Sequence, residues 1–188
     1  MSIMSHVAGW ASDAPSPAQL KEFFAQIESE RITKNRLQQF LRGDEKKKIY
    51  SVIIDYNLTT EQMVAAGKYG EIFDNINFKN FSVKGKGRIK RQLELLFYDK
   101  SMRADAILAD MDASGFRPAT IEELLAFGIK YPKLQRVFPI VALGSVYQCR
   151  NGEIGVVCLD NNRYKRTLQL TWVACDWDKH YRYLAVRK

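Results

Sequence analysis

Five cationic side chains, Lys84, Lys86, Arg88, Lys90 and Arg91, stand within eight residues and alternate at first with Gly85 and Gly87. Glycines at those positions allow a tight turn or an open loop. Ammonium and guanidinium groups at that density suit the phosphates of a nucleic acid, which they hold without reading its sequence. The spacing matches neither the GxxxxGK[ST] phosphate loop nor the dinucleotide fingerprint, so a nucleotide cofactor is not indicated. A solvated hairpin turn ahead of a strand accounts for the same run. A second set lies near the C-terminus, where Arg163, Lys165, Arg166 and Arg182 are interleaved with Trp172, Trp177, Tyr181 and Tyr183. Cations that carry backbone charge and rings that stack bases are the chemistry of single-strand and RNA binders. A sheet core with a charged edge has the same composition.

Catalytic and metal chemistry finds less support. The only histidines are His6 and His180. His180 has Cys175, Asp176 and Asp178 nearby, but no independent nucleophile or third ligand is indicated, and it reads as a histidine at a strand start. Asp99, Asp105, Asp110 and Asp112 do not alternate around a glycine as an EF-hand loop requires. Glu122 and Glu123 are adjacent on a helix and point different ways, a poor pair for acid–base work. No catalytic residue, metal ligand or cofactor is therefore expected. Cys149, Cys158 and Cys175 cannot all pair within one chain and form no CxxC. They read as buried thiols in a reducing compartment.

The elements that must position these groups begin with a chain of 188 residues, 46% hydrophobic and 12% aromatic, with a formal charge of +8. That composition supports one domain with room for an appendage and argues against disorder. The positive balance favours polyanionic or acidic partners, or a solvated basic surface. The N-terminal stretch lacks the basic and apolar regions of a signal peptide, and no apolar run is long enough to span a bilayer. No membrane contact and a cytoplasmic location are expected.

Residues 1–15 read as a flexible lead, and 16–43 as a helical hairpin. Ser16, Pro17 and Gln19 form a helix start, and Leu20, Phe23, Phe24 and Ile27 form an apolar stripe. A second helix runs from Thr33 with Leu37, Phe40 and Leu41 apolar and Gly43 at its exit. Such a pair is marginal alone and must bury its stripes on the main domain or on another protein. Phe23, Phe24, Leu37 and Phe40 are the candidate partner-binding residues. The cations and amides of the second helix are too ordinary to mark a DNA-reading helix-turn-helix.

Residues 44–188 read as an α+β domain. Ile49–Tyr56 is a β-branched strand, Thr59 opens a helix, and Gln92–Tyr98 is a strand. Ser101 begins a helix through Ala113, which Gly115 ends. Thr120 and Glu123 form a capping box, with Ile121, Leu124, Leu125 and Gly128 on one face. From Ile140 the period becomes two, so that Val141, Leu143, Ser145, Tyr147 and Cys149 share a face. Gly144 in that strand predicts a bulge or the close approach of another backbone. Asn151-Gly152 signals a hairpin, and the ending HYRYLAVRK a final strand. The expected architecture is an antiparallel C-terminal meander of four strands, packed by helices on one side, with the helical hairpin before it.

GFRPATIEELLAFGIKYPKLQRVFPIVALGSVY, from Gly115 to Tyr147, and the ending from Tyr183 to Lys188 together resemble a group of uncharacterised small bacterial proteins of candidate-phylum type. Those share a form close to GFRPAT-EELLA, YP-LQ and FPIVALGS, and end in RFLAVRK. That group brings no activity with it. In architecture, Arg117-Pro118-Ala119-Thr120 with Glu123, and the strand Tyr183–Arg187, are similar to the helix entrance and closing strand of C-type-lectin-like and formylglycine-enzyme-like folds. This resemblance implies a scaffold for ligand display, without the calcium clusters or the catalytic cysteine pair of those families. The sequence thus points to a non-enzymatic binding module with a protein partner. The alternative is a nucleic-acid-binding protein that uses residues 84–91 and the aromatic, basic C-terminal sheet. Oligomeric state is not legible.

Overall fold

The computed structural model describes residues 16–29, 48–162 and 164–188. The segments expected to be a flexible lead (1–15) and a second helix with Leu37 and Phe40, together with Arg163, lie outside the described residues. The chain divides into two compact units, Met1–Lys47 and Lys48–Lys188. In the first, α1 spans Pro17–Glu28. Its start is a reciprocal cap in which Ser16 N–H donates to Gln19 Oε1 at 2.8 Å and Gln19 N–H to Ser16 Oγ at 3.3 Å.

The second unit is one sheet between helices. In chain order it comprises β1 (Tyr50–Asp55), α2 (Thr60–Gly67), β2 (Glu71–Ile72), β3 (Arg88–Leu96), α3 (Ala104–Ala113), β4 (Phe116–Pro118), α4 (Ile121–Lys130), β5 (Ile140–Gln148), β6 (Ile154–Asn161), β7 (Arg166–Trp172) and β8 (Arg182–Arg187). The strands lie in the order β1-β3-β8-β5-β6-β7-β2, with β4 also paired to β8.

This order corrects the expected four-strand meander. β5, β6 and β7 do form an antiparallel meander. The last strand, however, lies between β3, to which it is antiparallel, and β5, to which it is parallel. The reason is in its side chains. Tyr183 and Ala185 are buried on one face and Leu184 and Val186 on the other. A strand that is apolar on both faces belongs inside a covered sheet.

Helices therefore occupy both faces, not one. Met63 and Val64 of α2 and Ile121, Leu124, Leu125 and Phe127 of α4 pack over Val52, Ile54, Leu93, Ile140, Val157, Leu159 and Leu184. On the opposite face, Ala104, Ile107 and Met111 of α3 join Trp177 over Val141, Leu143, Val156, Cys158, Tyr183 and Ala185. The basic run is not a simple hairpin turn either. β1 and β3 pair from Tyr50↔Leu93 to Asp55↔Arg88, but α2, β2 and a packed segment intervene between them. At the outer edge of β1, the Ser51 carbonyl accepts from Tyr131 Oη at 3.0 Å and Lys130 Nζ at 2.6 Å, which occupies part of an otherwise open edge.

Gly144 marks where two segments share one edge of β8. β5 pairs with β8 at Ile140↔Arg182 and Val141↔Tyr183, and β4 takes over at Pro118↔Ala185, Arg117↔Val186 and Phe116↔Arg187. Between them Gly144 N–H donates to Ala119 O at 2.9 Å, and Ala119 N–H to Leu184 O at 2.9 Å. The β5–β6 register also shifts between Ala142 and Val146. Bulge and close approach thus occur together. A Cβ on Gly144 would stand 2.6 Å from the Ala119 carbonyl oxygen, a backbone atom with no rotamer to escape into. Gly144→Ala is expected to cost about 1–3 kcal/mol, the usual range for overpacking. Chemical denaturation of the variant checks this, and an unchanged midpoint would contradict the close packing at this junction.

Candidate polyanion-binding surface

The segment 82–87 enters β3 as an anchored loop. Lys84 N–H donates to Glu122 Oε1 at 2.9 Å. Gly85 lies so close to Tyr56 that a Cβ there would be 2.4 Å from the ring. Gly87 adopts φ +72°, a left-handed conformation that glycine takes without strain. Its N–H reaches Asn57 Oδ1 at 3.3 Å, and its carbonyl accepts from Tyr56 N–H at 2.9 Å, so the β1–β3 ladder runs on beyond Asp55.

From this anchored backbone Lys84, Lys86, Arg88 and Lys90 are exposed. Arg88 is 3.4 Å from Asp55 across the ladder. Its side chain is 67% exposed, so the pair contributes little and leaves the guanidinium accessible. Among the described residues Lys84, Lys86 and Lys90 make no ion pair.

Arg91 belongs to a different arrangement. It falls on the helix-covered face, with Nε 4.0 Å from Oε1 of Glu123, a residue only 1% exposed. Arg117 from β4 forks onto the same carboxylate at 2.7 and 2.9 Å, and Thr120 N–H donates to it at 2.9 Å. Buried charge of this kind persists only when it is paired and hydrogen-bonded. The bond to Glu123 raises the Arg117 pKa. Burial, then the charges of Glu123 and Glu122, pushes the nearby Tyr56 phenol up. Ser145 Oγ of β5 accepts Ile121 N–H at 3.0 Å, which ties the start of α4 to the bulge beside Gly144. Glu122 and Glu123 therefore serve different partners. Glu122 holds the basic loop and Glu123 the two arginines.

The C-terminal set is not gathered on one face. Arg166 hydrogen-bonds Gln135 Oε1 at 3.0 Å and the carbonyls of Gly67 and Gly128 at 2.7 Å each, with its guanidinium 4.8 Å from the Tyr69 ring centroid. It clasps the ends of α2 and α4 to the 3-10 turn Leu134–Arg136. Burial lowers its pKa and raises that of Tyr69 to about 12. Arg182 lies 4.8 Å from the Phe97 and Phe138 ring centroids and donates to the Lys179 and Tyr181 carbonyls at 3.0 Å each. Trp177 and Tyr183 are core side chains, 6.0 Å apart between centroids. Trp172 and Tyr181 are half-buried, and Lys165 is exposed. Four of the groups expected at a stacking surface, Arg166, Arg182, Trp177 and Tyr183, thus serve the fold. Strand alternation could not separate them from surface residues, because the sheet is covered on both faces.

His180 Nδ1 is 3.0 Å from Asp178 Oδ1, with both side chains exposed. The N–H of His180 holds the Asp178 carboxyl below its usual pKa. No cluster of three or more His, Cys, Asp or Glu suited to a metal occurs among the described residues. The expectation of buried cysteines holds for Cys158, whose thiol burial pushes up, while Cys149 is half-buried and Cys175 exposed in a turn. No helix among the described residues is long and apolar enough to cross a membrane. No family model, curated protein or solved structure matches the chain.

Sequence reasoning did not assign Glu122, Tyr56 or Asn57 to the basic loop, since its partners lie 38 and about 30 residues away. The one available signal was Gly85 and Gly87, which mark a backbone held in an unusual place. Glu122→Ala removes the acceptor for Lys84 N–H and is expected to destabilise the unit by about 1–2 kcal/mol. Amide exchange over residues 84–87 should quicken, and Glu122→Gln, which keeps the acceptor, should restore protection. Unchanged exchange in Glu122→Ala would show that the loop is held by other means.

Proposed function

We propose that the Lys48–Lys188 unit is a non-enzymatic binding module that holds nucleic acid by its phosphates, through Lys84, Lys86, Arg88 and Lys90. One observation carries this reading, the sorting of the cations. Arg166 and Arg182 are engaged by carbonyls and rings, and Arg187 pairs with buried Glu94 at 3.0 Å and stacks on Phe116. Among the described residues the densest run of exposed cations along the chain is that of the anchored loop and the outward face of β3, where Lys84, Lys86, Arg88 and Lys90 stand at alternate positions. Contacts of this kind fix the backbone of the ligand and release its counterions.

A protein-partner reading rests on α1, where Leu20 and Phe24 are 42% and 58% exposed and Phe23 is half-buried. An apolar stripe in such a state suits a helix-in-groove contact. It names no partner chemistry and leaves the basic loop unexplained.

Fluorescence anisotropy with labelled nucleic acid tests the proposal. Binding should weaken with salt at a log–log slope of about −0.9 per phosphate contact on a duplex, or about −0.7 on a single strand. Replacing Lys84, Lys86, Arg88 and Lys90 by Ala should lower affinity at least about tenfold at low salt and flatten that slope. The equal charge change at exposed Lys100, Lys133, Lys165 and Lys179 should do much less. Equal losses from the two sets, or no binding by the unaltered protein at low salt, would sink the proposal.

A further inference from the structure

We infer that the nucleic acid this surface takes is double-stranded and is held through its backbone without sequence preference, an inference that rests on the nucleic-acid reading above. Proteins that bind single strands pair a basic groove with rings on which successive bases stack. The outward face of the β1–β3 pair has no ring. It presents Ser51, Ile53 and Asp55 from β1 against Gln92, Lys90 and Arg88 from β3. The nearest aromatics are turned away from it. Tyr50 lies in the core, and Tyr56 packs on that core with its ring against Gly85. Of the rings expected at a stacking surface farther along the chain, Trp177 and Tyr183 share this face of the sheet but are buried with α3, and Trp172 and Tyr181 are half-buried.

Charge density and rigidity point the same way. Along β3, Arg88 and Lys90 are successive outward residues, roughly 7 Å apart at the usual antiparallel rise. Lys84 and Lys86, also exposed, precede them in the anchored loop. A duplex presents about twice the charge per unit of axis that one strand does, so a compact group of four cations meets more phosphates on it. The loop is held by Glu122, Tyr56 and Asn57. A backbone fixed before binding favours a ligand whose phosphates are also fixed, because less of the contact remains to be ordered. A flexible strand gains little from that order. Among these outward residues Gln92 and Ser51 are the uncharged side chains able to read a base edge, too little for a sequence code.

The test is competition against a labelled duplex of about 20 base pairs at moderate salt, with the intact protein, using unlabelled duplex and each separated strand. The duplex should compete at least about tenfold better than either strand, and duplexes of unrelated sequence should compete equally. Lys90→Ala should flatten the duplex salt slope by about 0.9 and leave the indifference to sequence intact. Single strands that compete as well as duplex would overturn this inference while leaving the nucleic-acid reading in place. A tenfold preference among duplex sequences would overturn the backbone-only mode. Binding to phosphatidylserine vesicles and to neither form of nucleic acid would overturn both readings.

Discussion

The last strand of the chain lies in the middle of the sheet, and the Lys48–Lys188 unit depends on that placement. β8 offers one edge to β3 and divides the other between β5 and β4. Its four central residues belong alternately to the two cores, so neither face is closed until it is in place. The junction works because Gly144 has no side chain where the backbone at Ala119 crosses. Beyond the strand, Lys188 N–H reaches Gly115 O at 3.0 Å, which joins the C-terminus to the turn after α3. Pairings this distant in sequence make for slow folding, since loop closure must precede the contacts that reward it.

The same placement decides which cations are free. Inner strands covered on both faces end in loops crowded by helices and aromatic side chains, and Arg166 and Arg182 are drawn into those ends, while Arg187 remains exposed and pairs with buried Glu94. Each guanidinium meets carbonyls, a carboxylate or rings that would otherwise lack a partner in a dry setting. β1 and β3 stand at the opposite condition. They form the outer pair of the sheet, so their outward residues remain in water. Arg91 shows how sharp the division is. One position on from Lys90, it faces the helix layer and meets Glu123.

Local chemistry was legible in the sequence and long-range pairing was not. Thr59 and Gln62 form the reciprocal cap their spacing promises, at 2.8 and 3.3 Å. Glu123 likewise accepts the Thr120 N–H, and Gly144 shows both features that a glycine in a strand suggests. These depend on neighbours within a few residues. The position of β8 depends on which strand lies beside it, and period-two alternation is silent on that. Its two apolar faces were written in Tyr183–Val186 but fit a meander edge only if the second face is ignored. Arg166 and Lys84 are alike as cations in a sequence. One is taken into the fold by Gln135, Gly67 and Gly128, 31 to 99 residues away, and the other is left outside.

The claim that accessibility, rather than composition, selects the contact surface is tested most directly by mapping a bound duplex on the isotopically labelled protein by amide chemical-shift perturbation. The account predicts that the shifted amides lie in 84–92 and in 51–55 across the ladder, with little change over 164–183. Perturbation centred on 164–183, with the 84–92 segment unmoved, would contradict it.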